Sequence, residues 1–236
     1  MKNLTVRPAL RAAFALTASV VAVLAVGSGL SGCASLLPKP VAAPTLYALE
    51  ATSAPASTVA SVASVRPSAI ATLVVNTPRA DAGFDSQHIM YVREPYKLEY
   101  FAHSEWVDTP ARMLTPMLVS TVAKSGAFKA VVPASIAATG ELTLDTEIVR
   151  LQHDFSVQPS RVAFSLRVYL LDTQTRKAIA WRELETVVAA TEDNPLGGVV
   201  AANRAVHMAL QQVADFCLKG AEQWQSTRSA ATSLTQ

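Results

Sequence analysis

The chain has 236 residues, two cysteines, and 20 Lys and Arg against 18 Asp and Glu, a formal net charge of +2. That length suffices for one domain with a real core. A nearly balanced charge with scattered basic residues leaves no electrostatic footprint for nucleic acid.

Lys2, Arg7 and Arg11 precede an apolar run from about Ala12 to Val26, followed by small residues, which is the layout of an export signal. The run is shorter than the ~20 apolar residues that a spanning helix needs, so cleavage is expected rather than retention. The signal ends on Leu30-Ser31-Gly32-Cys33, which resembles a bacterial lipoprotein cleavage site. The competing reading is an ordinary signal peptide with a chance cysteine at its end. Residues 1–32 are read as the signal peptide, and their loss removes three basic and no acidic residues, so +2 becomes −1 in the mature chain.

The lipoprotein resemblance implies that Cys33 becomes the mature N-terminus and carries a diacylglyceryl group and an N-acyl chain such as palmitate. One acyl chain anchors marginally, at about 0.8 kcal/mol per buried methylene, whereas several on one residue make release negligible. Ala34 stands where an aspartate would favour inner-membrane retention, so the resemblance points to the outer membrane, facing the periplasm.

Residues 33–44 are Ala/Pro-rich without hydrophobic period and are expected to be a flexible tether reaching roughly 35 Å. Thr45 to Glu50 reads as a short strand, and residues 51–67 form a second Ala/Ser/Pro/Val segment of undecided order. Strands are predicted at Ile70 to Val75 and Ile89 to Arg93, with a loop over Thr77 to Asp85 between them. From Lys97 to Trp106 one parity carries Leu98, Tyr100 and Trp106 and the other Lys97, Glu99, His103 and Glu105. That pattern predicts a strand with one buried face and Phe101 on the polar side.

Asp108-Thr109-Pro110 predicts a helix start, the apolar stripe from Met113 to Val122 predicts its packed face, and Gly126 predicts its end. Pro116 inside that stretch predicts a kink or a restart capped by Thr115. Phe128 to Val132 reads as the next strand. Leu142 to Ile148, Arg161 to Leu170 and Ile179 to Val188 read as an antiparallel meander, the last two joined by the polar turn Asp172 to Lys177. Asn194-Pro195 predicts a final helix ending near Trp224, with residues 225–236 as a disordered tail.

The fold class expected is α/β: a single domain over residues 45–224 with a mixed, largely antiparallel sheet packed by two main helices. This order of elements resembles the ABC-type transport auxiliary lipoproteins, a family that includes the outer-membrane lipoprotein of the paraquat-inducible (Pqi) system and companions of Mla-like lipid transporters. The residues that carry the resemblance are Leu46-Tyr47-Ala48-Leu49, Tyr96-Lys97-Leu98-Glu99-Tyr100-Phe101 leading to Trp106, and Ser125-Gly126-Ala127-Phe128 with Val131-Val132. The resemblance implies a non-enzymatic periplasmic component of a lipid or hydrophobic-solute transport system whose other parts are an ATPase, a permease and an MCE-domain protein. It implies docking of that assembly at the outer membrane, and a ring of subunits matching an MCE ring or tube. The alternative is a lipid carrier that shelters an acyl chain in its own pocket, marked by an apolar opening between helix and sheet.

The chain contains no G-x-x-x-x-G-K-[ST], no G-x-S-x-G and no H-E-x-x-H, so nucleotide hydrolysis and the common esterase and zinc-protease sites lack their parts. His88, His103, His153 and His207 have no nucleophile or third ligand at a recognisable spacing, so no catalytic residue, metal or cofactor is expected. Cys217 shares a helix stripe with Val206, Leu210 and Val213 and reads as a small buried hydrophobe. Tyr91, Tyr96 and Trp106 read mainly as core, and Phe101 on its polar parity is the candidate partner or lipid contact.

Overall fold

The computed structural model describes residues 43–50 and 70–233. The signal peptide, Cys33 and most of the tether lie outside the described residues, as does the segment from 51 to 69. The elements are β1 (Thr45–Tyr47), β2 (Thr72–Val75), β3 (Arg79–Ala80), β4 (His88–Val92), β5 (Leu98–Trp106) and helix α1 (Pro110–Lys124). They continue with β6 (Ala130–Pro133), a 3₁₀ turn (Ala134–Ile136), β7 (Leu142–Asp154), β8 (Arg161–Asp172), β9 (Ala178–Ala189) and helix α2 (Pro195–Ser233).

One mixed sheet holds all nine strands, and β7 is its spine. Along one edge β7 pairs antiparallel with β8, which pairs antiparallel with β9, so the expected meander forms. Along the other edge β2, β3 and β4 follow one another, each parallel to β7. β6 extends the sheet beside β2, and β5 and β1 extend it beside β4. The long ladders are thus antiparallel and the short ones mostly parallel, as a mixed sheet allows. β3, a two-residue strand, lies in the stretch expected to be wholly loop.

Both helices pack on one face. Leu73, Val75, Leu142, Leu144, Ile148, Leu166, Val168 and Leu170 project from that face and are almost completely buried against Leu114, Leu118 and Val122 of α1 and Val206, Leu210 and Val213 of α2. Ala201, Ala202, Ala205, Ala209 and Ala221 are buried in the same layer, and such small side chains let α2 lie close to the strands. Thr186 Oγ donates across this interface to the Ala205 carbonyl at 3.0 Å. The chain after β1 is held to α2 as well: the Glu50 amide donates to Asn203 Oδ1 at 2.9 Å, and Asn203 Nδ2 donates to the Ala48 carbonyl at 3.2 Å. Leu49 is thereby seated in the core.

Helix α1 begins as expected, with Pro110 in its first turn and Thr109 before it, and ends at Gly126, whose φ of 66° is the left-handed conformation that glycine tolerates best. It does not restart at Pro116. The helix runs unbroken from Pro110 to Lys124, and Pro116 lies on its exposed side, where the carbonyl left without an amide partner can be hydrated. Helix α2 starts on Asn194, whose Oδ1 accepts the Gly197 amide at 2.8 Å. It continues past Trp224 to Ser233, so residues 225–233 are helical where a disordered tail was expected. The hydrophobic stripe stops near Trp224, but nothing in that stretch breaks a helix, and Ala, Gln and Arg propagate one already nucleated.

Candidate functional site

Three regions bear on function: the β4–β5 hairpin, a polar cluster around His153, and the sheet face opposite the helices. In the hairpin, the ladder between β4 and β5 pairs Met90 with Tyr100 but His88 with Glu105, so β5 carries extra residues across a bulge. A bulge breaks strict alternation. Beyond it Ser104 and Trp106 are buried as the parity predicts, whereas before it Leu98 and Tyr100 are exposed and Phe101 is half-buried against the core. Phe101, which simple alternation puts on the polar side, thus turns toward the core. Its ring lies 4.6 Å from that of Tyr91 and 6.2 Å from that of Phe155. The large apolar side chains this hairpin exposes are Leu98, Tyr100 and Tyr96, the last read from the sequence mainly as core but fully exposed and held at a φ of 67°.

The Phe101 cluster continues into His153, whose ring is tilted against that of Phe155 with centroids 4.0 Å apart and which is buried. His153 Nε2 lies 2.8 Å from the hydroxyl of Ser160, which is also buried. The Ser160 amide donates to Asp193 Oδ1 at 3.3 Å, and hydrogen bonding from Ser160 is the main reason the Asp193 carboxyl is held below its ordinary range. The direction of the His153–Ser160 bond follows the tautomer, and the other ring nitrogen, Nδ1, is buried without a partner. Burial lowers the His153 pKa, and the charges of Asp193 and Asp154 oppose that shift without overcoming it. Serine, histidine and aspartate are thus close together but in the wrong order for nucleophilic catalysis: the serine stands between the other two and is sealed from solvent. Gly198 of α2 covers the ring so closely that a Cβ there would lie 2.4 Å from Nδ1. The cluster fastens the start of α2 to β7.

His88 stacks on Tyr100 at 4.2 Å, and His103 is exposed. His207 Nε2 lies 3.0 Å from the Glu50 carbonyl. Among the described residues no three of His, Cys, Asp or Glu come together as a metal site. Cys217 is buried, and burial pushes its thiol up to about 12, so it is protonated and unreactive as a nucleophile.

Between α2 and the sheet, Ile89, Met90, Trp106, Leu151, His153, Val162 and Ala202 leave a cavity of about 10 Å³, the space of one water. A cleft of about 310 Å³ between α2 and β9 is lined largely by polar groups such as Arg182, Gln212, Asp215 and Lys219. The far end of α2 is clamped to the β8–β9 turn: Trp224 Nε1 donates to Asp172 Oδ2 at 2.6 Å, and the Arg228 guanidinium lies 4.8 Å over the Trp224 ring. Asp172 also accepts from the Thr175 amide at 2.7 Å, and the Trp224 bond leads the contacts that lower its pKa.

The opposite sheet face carries charge at its centre and aromatic rings at one end. Arg167 of β8 donates to Glu147 of β7 at 2.8 Å and to Glu183 of β9 at 3.0 Å, and Arg150 pairs with Glu185 at 3.7 Å. Tyr169 and the exposed Trp181 stack at one end. The helix contacts made by His153, Leu170 and Thr186 all come from the other parity, so among the described residues no helix packs on this face. Because long polar side chains alternate with buried apolar ones, the sequence contains the signal for this face. The bulge and the His153 cluster depend on contacts between distant segments and have no such signal.

Residues 47–214 match the family described as the ABC-type transport auxiliary lipoprotein component. The chain belongs to this family. Membership associates the auxiliary lipoprotein with an ABC-type transport system and with a membrane-anchored place in the periplasm. Its fold is that of a DUF330 protein from Xanthomonas campestris, whose crystal structure superposes with a TM-score of 0.62 at 18% identity, covering 78% of this chain and 98% of that one. An uncharacterised protein of known crystal structure is similar at a TM-score of 0.57 and 12% identity, covering 74% of this chain and 98% of that one. None of the curated proteins matches the auxiliary lipoprotein. Among its described residues no helix is long and apolar enough to cross a membrane.

Proposed function

We propose that this auxiliary lipoprotein is a non-enzymatic docking component. Anchored in the outer membrane through lipid on Cys33, it receives the end of an inner-membrane ABC transport assembly that moves lipid or another hydrophobic solute, with an MCE-domain protein as its direct partner. The family match over the folded domain carries this reading. The helix-free sheet face supports it by offering a broad, patterned surface, and confinement to one membrane raises the effective concentration of a weak partner site. Between α2 and the sheet the apolar cavity has room for about one water and the larger cleft beside β9 is lined largely by polar groups, which favours a scaffold over a carrier that shelters an acyl chain. A ring of subunits facing an MCE tube is the assembly this reading implies.

Isolation of the full lipidated chain from outer membranes tests the proposal. The permease, ATPase and MCE protein should co-purify with it, and His103→Ala should leave both co-purification and transport intact. A His103→Ala protein that is folded and partner-bound but inactive in transport would overturn the non-enzymatic reading.

A further inference from the structure

The β4–β5 hairpin ends in a cluster that a soluble surface has little reason to display. Tyr96 is fully exposed on a backbone with φ of 67°, a conformation unfavourable for a bulky residue, and Leu98 and Tyr100 are exposed beside it. The charges at the tip are balanced: Arg93 lies over the Tyr91 ring, Lys97 pairs with Glu99 at 3.5 Å, and Glu94 is exposed. Asp81 and Asp85 are exposed in the loop whose Gly83 adjoins Leu98. A tip with tyrosines, a leucine and no excess of positive charge suits the headgroup region of a zwitterionic bilayer, where amphipathic aromatic rings are favoured.

The course of the chain says which end of the domain faces its membrane. β1 runs parallel to β5 with Thr45 opposite Ser104, so the residues before Thr45 enter from the side of Leu98 and the hairpin tip. The tip lies roughly 23 Å from Ser104 at about 3.3 Å per residue, within the roughly 35 Å reach of the tether. The exposed Val107 lies at the opposite end, away from the entering chain.

We propose that Tyr96, Leu98 and Tyr100 rest in the interface of a zwitterionic phospholipid bilayer, the same bilayer that holds the Cys33 anchor. The inference builds on the lipid-anchor reading above. It fixes the domain's orientation: the hairpin tip faces the anchoring membrane, and Val107 and the start of α1 point toward the periplasm.

The test uses the full chain with an environment-sensitive dye on Tyr96→Cys, reconstituted with phosphatidylcholine vesicles that include spin-labelled lipid. Dyes on Ile136→Cys and Trp181→Cys serve as references, Leu98→Cys is a second tip position, and flotation reports the anchor independently. The expected result is a blue shift and lipid-dependent quenching at 96 and 98 with aqueous emission at 136 and 181. Aqueous, unquenched emission at both tip positions overturns the inference: with flotation intact the anchor reading survives, and without flotation both fall. Emission that shifts only when the MCE partner is added also overturns it, in favour of a protein contact.

Discussion

Phe101 and Tyr100 are adjacent in sequence and opposite in environment, one packed among Tyr91 and Phe155 and the other exposed. Phe101→Asp should therefore cost about 2 kcal/mol or more, since it removes a packed ring and places a carboxylate beside apolar groups, whereas Tyr100→Asp should cost under about 1 kcal/mol. Leu166→Asp, at a completely buried position, should exceed both. Urea unfolding of the three variants gives the order, and equal costs for Phe101 and Tyr100 would contradict the bulge-shifted parity. His153 makes a second residue-level prediction. Its folded pKa lies below the ordinary 6.5, so below that pH the unfolded chain binds a proton that the folded chain resists. Stability should be level above about pH 6.5 and fall as pH drops through 6.5 toward the folded value. Asp154, Asp172 and Asp193, all held below 3.8, add their loss only in more acidic solution. In His153→Gln the upper slope should disappear from unfolding midpoints measured across this range, and an unchanged slope would assign it to other groups.

Helix α2 is fixed at both ends by side chains from the sheet, His153 beneath Gly198 and Asp172 bonded to Trp224. Trp224→Phe keeps the ring but removes the donor, and should cost about 1 kcal/mol while speeding hydrogen exchange of amides in residues 225–233. Exchange that stays slow there would mean that the last turns do not depend on the clamp. The meander and both helix starts were legible because each rests on local chemistry: period-two alternation, a polar turn, and Asn or Thr before Pro. The bulge in β5 was not, since its extra residues become visible only against β4. The end of α2 was missed because hydrophobic periodicity stops at Trp224, whereas the helix propagates on propensity and on the bonds that Trp224 makes to a distant turn. Of the site residues, Leu30, Ser31, Gly32 and Cys33 stand on sequence alone, and the side of the strand that Phe101 takes was not legible because the bulge shifts the alternation.

At the scale of the molecule, two helices seal one face of the sheet, and among the described residues no helix covers the other, a division that suits the docking role proposed above. The anchor is separable from this architecture, because no core residue precedes Tyr47 among the described residues. Cys33→Ser should accordingly give a folded domain released from the membrane fraction, and a processed Cys33→Ser protein that still sediments with outer membranes would remove the lipoprotein premise. The docking role is tested most directly by photo-crosslinking in intact cells from a reactive residue at position 181, on the helix-free face. The account predicts an adduct with the MCE-domain protein in the outer-membrane fraction, lost when Arg150 and Arg167, on the same face, are both replaced by alanine in a chain that remains folded and anchored. A folded, anchored chain that forms no adduct with any part of the transport system while transport proceeds would contradict it.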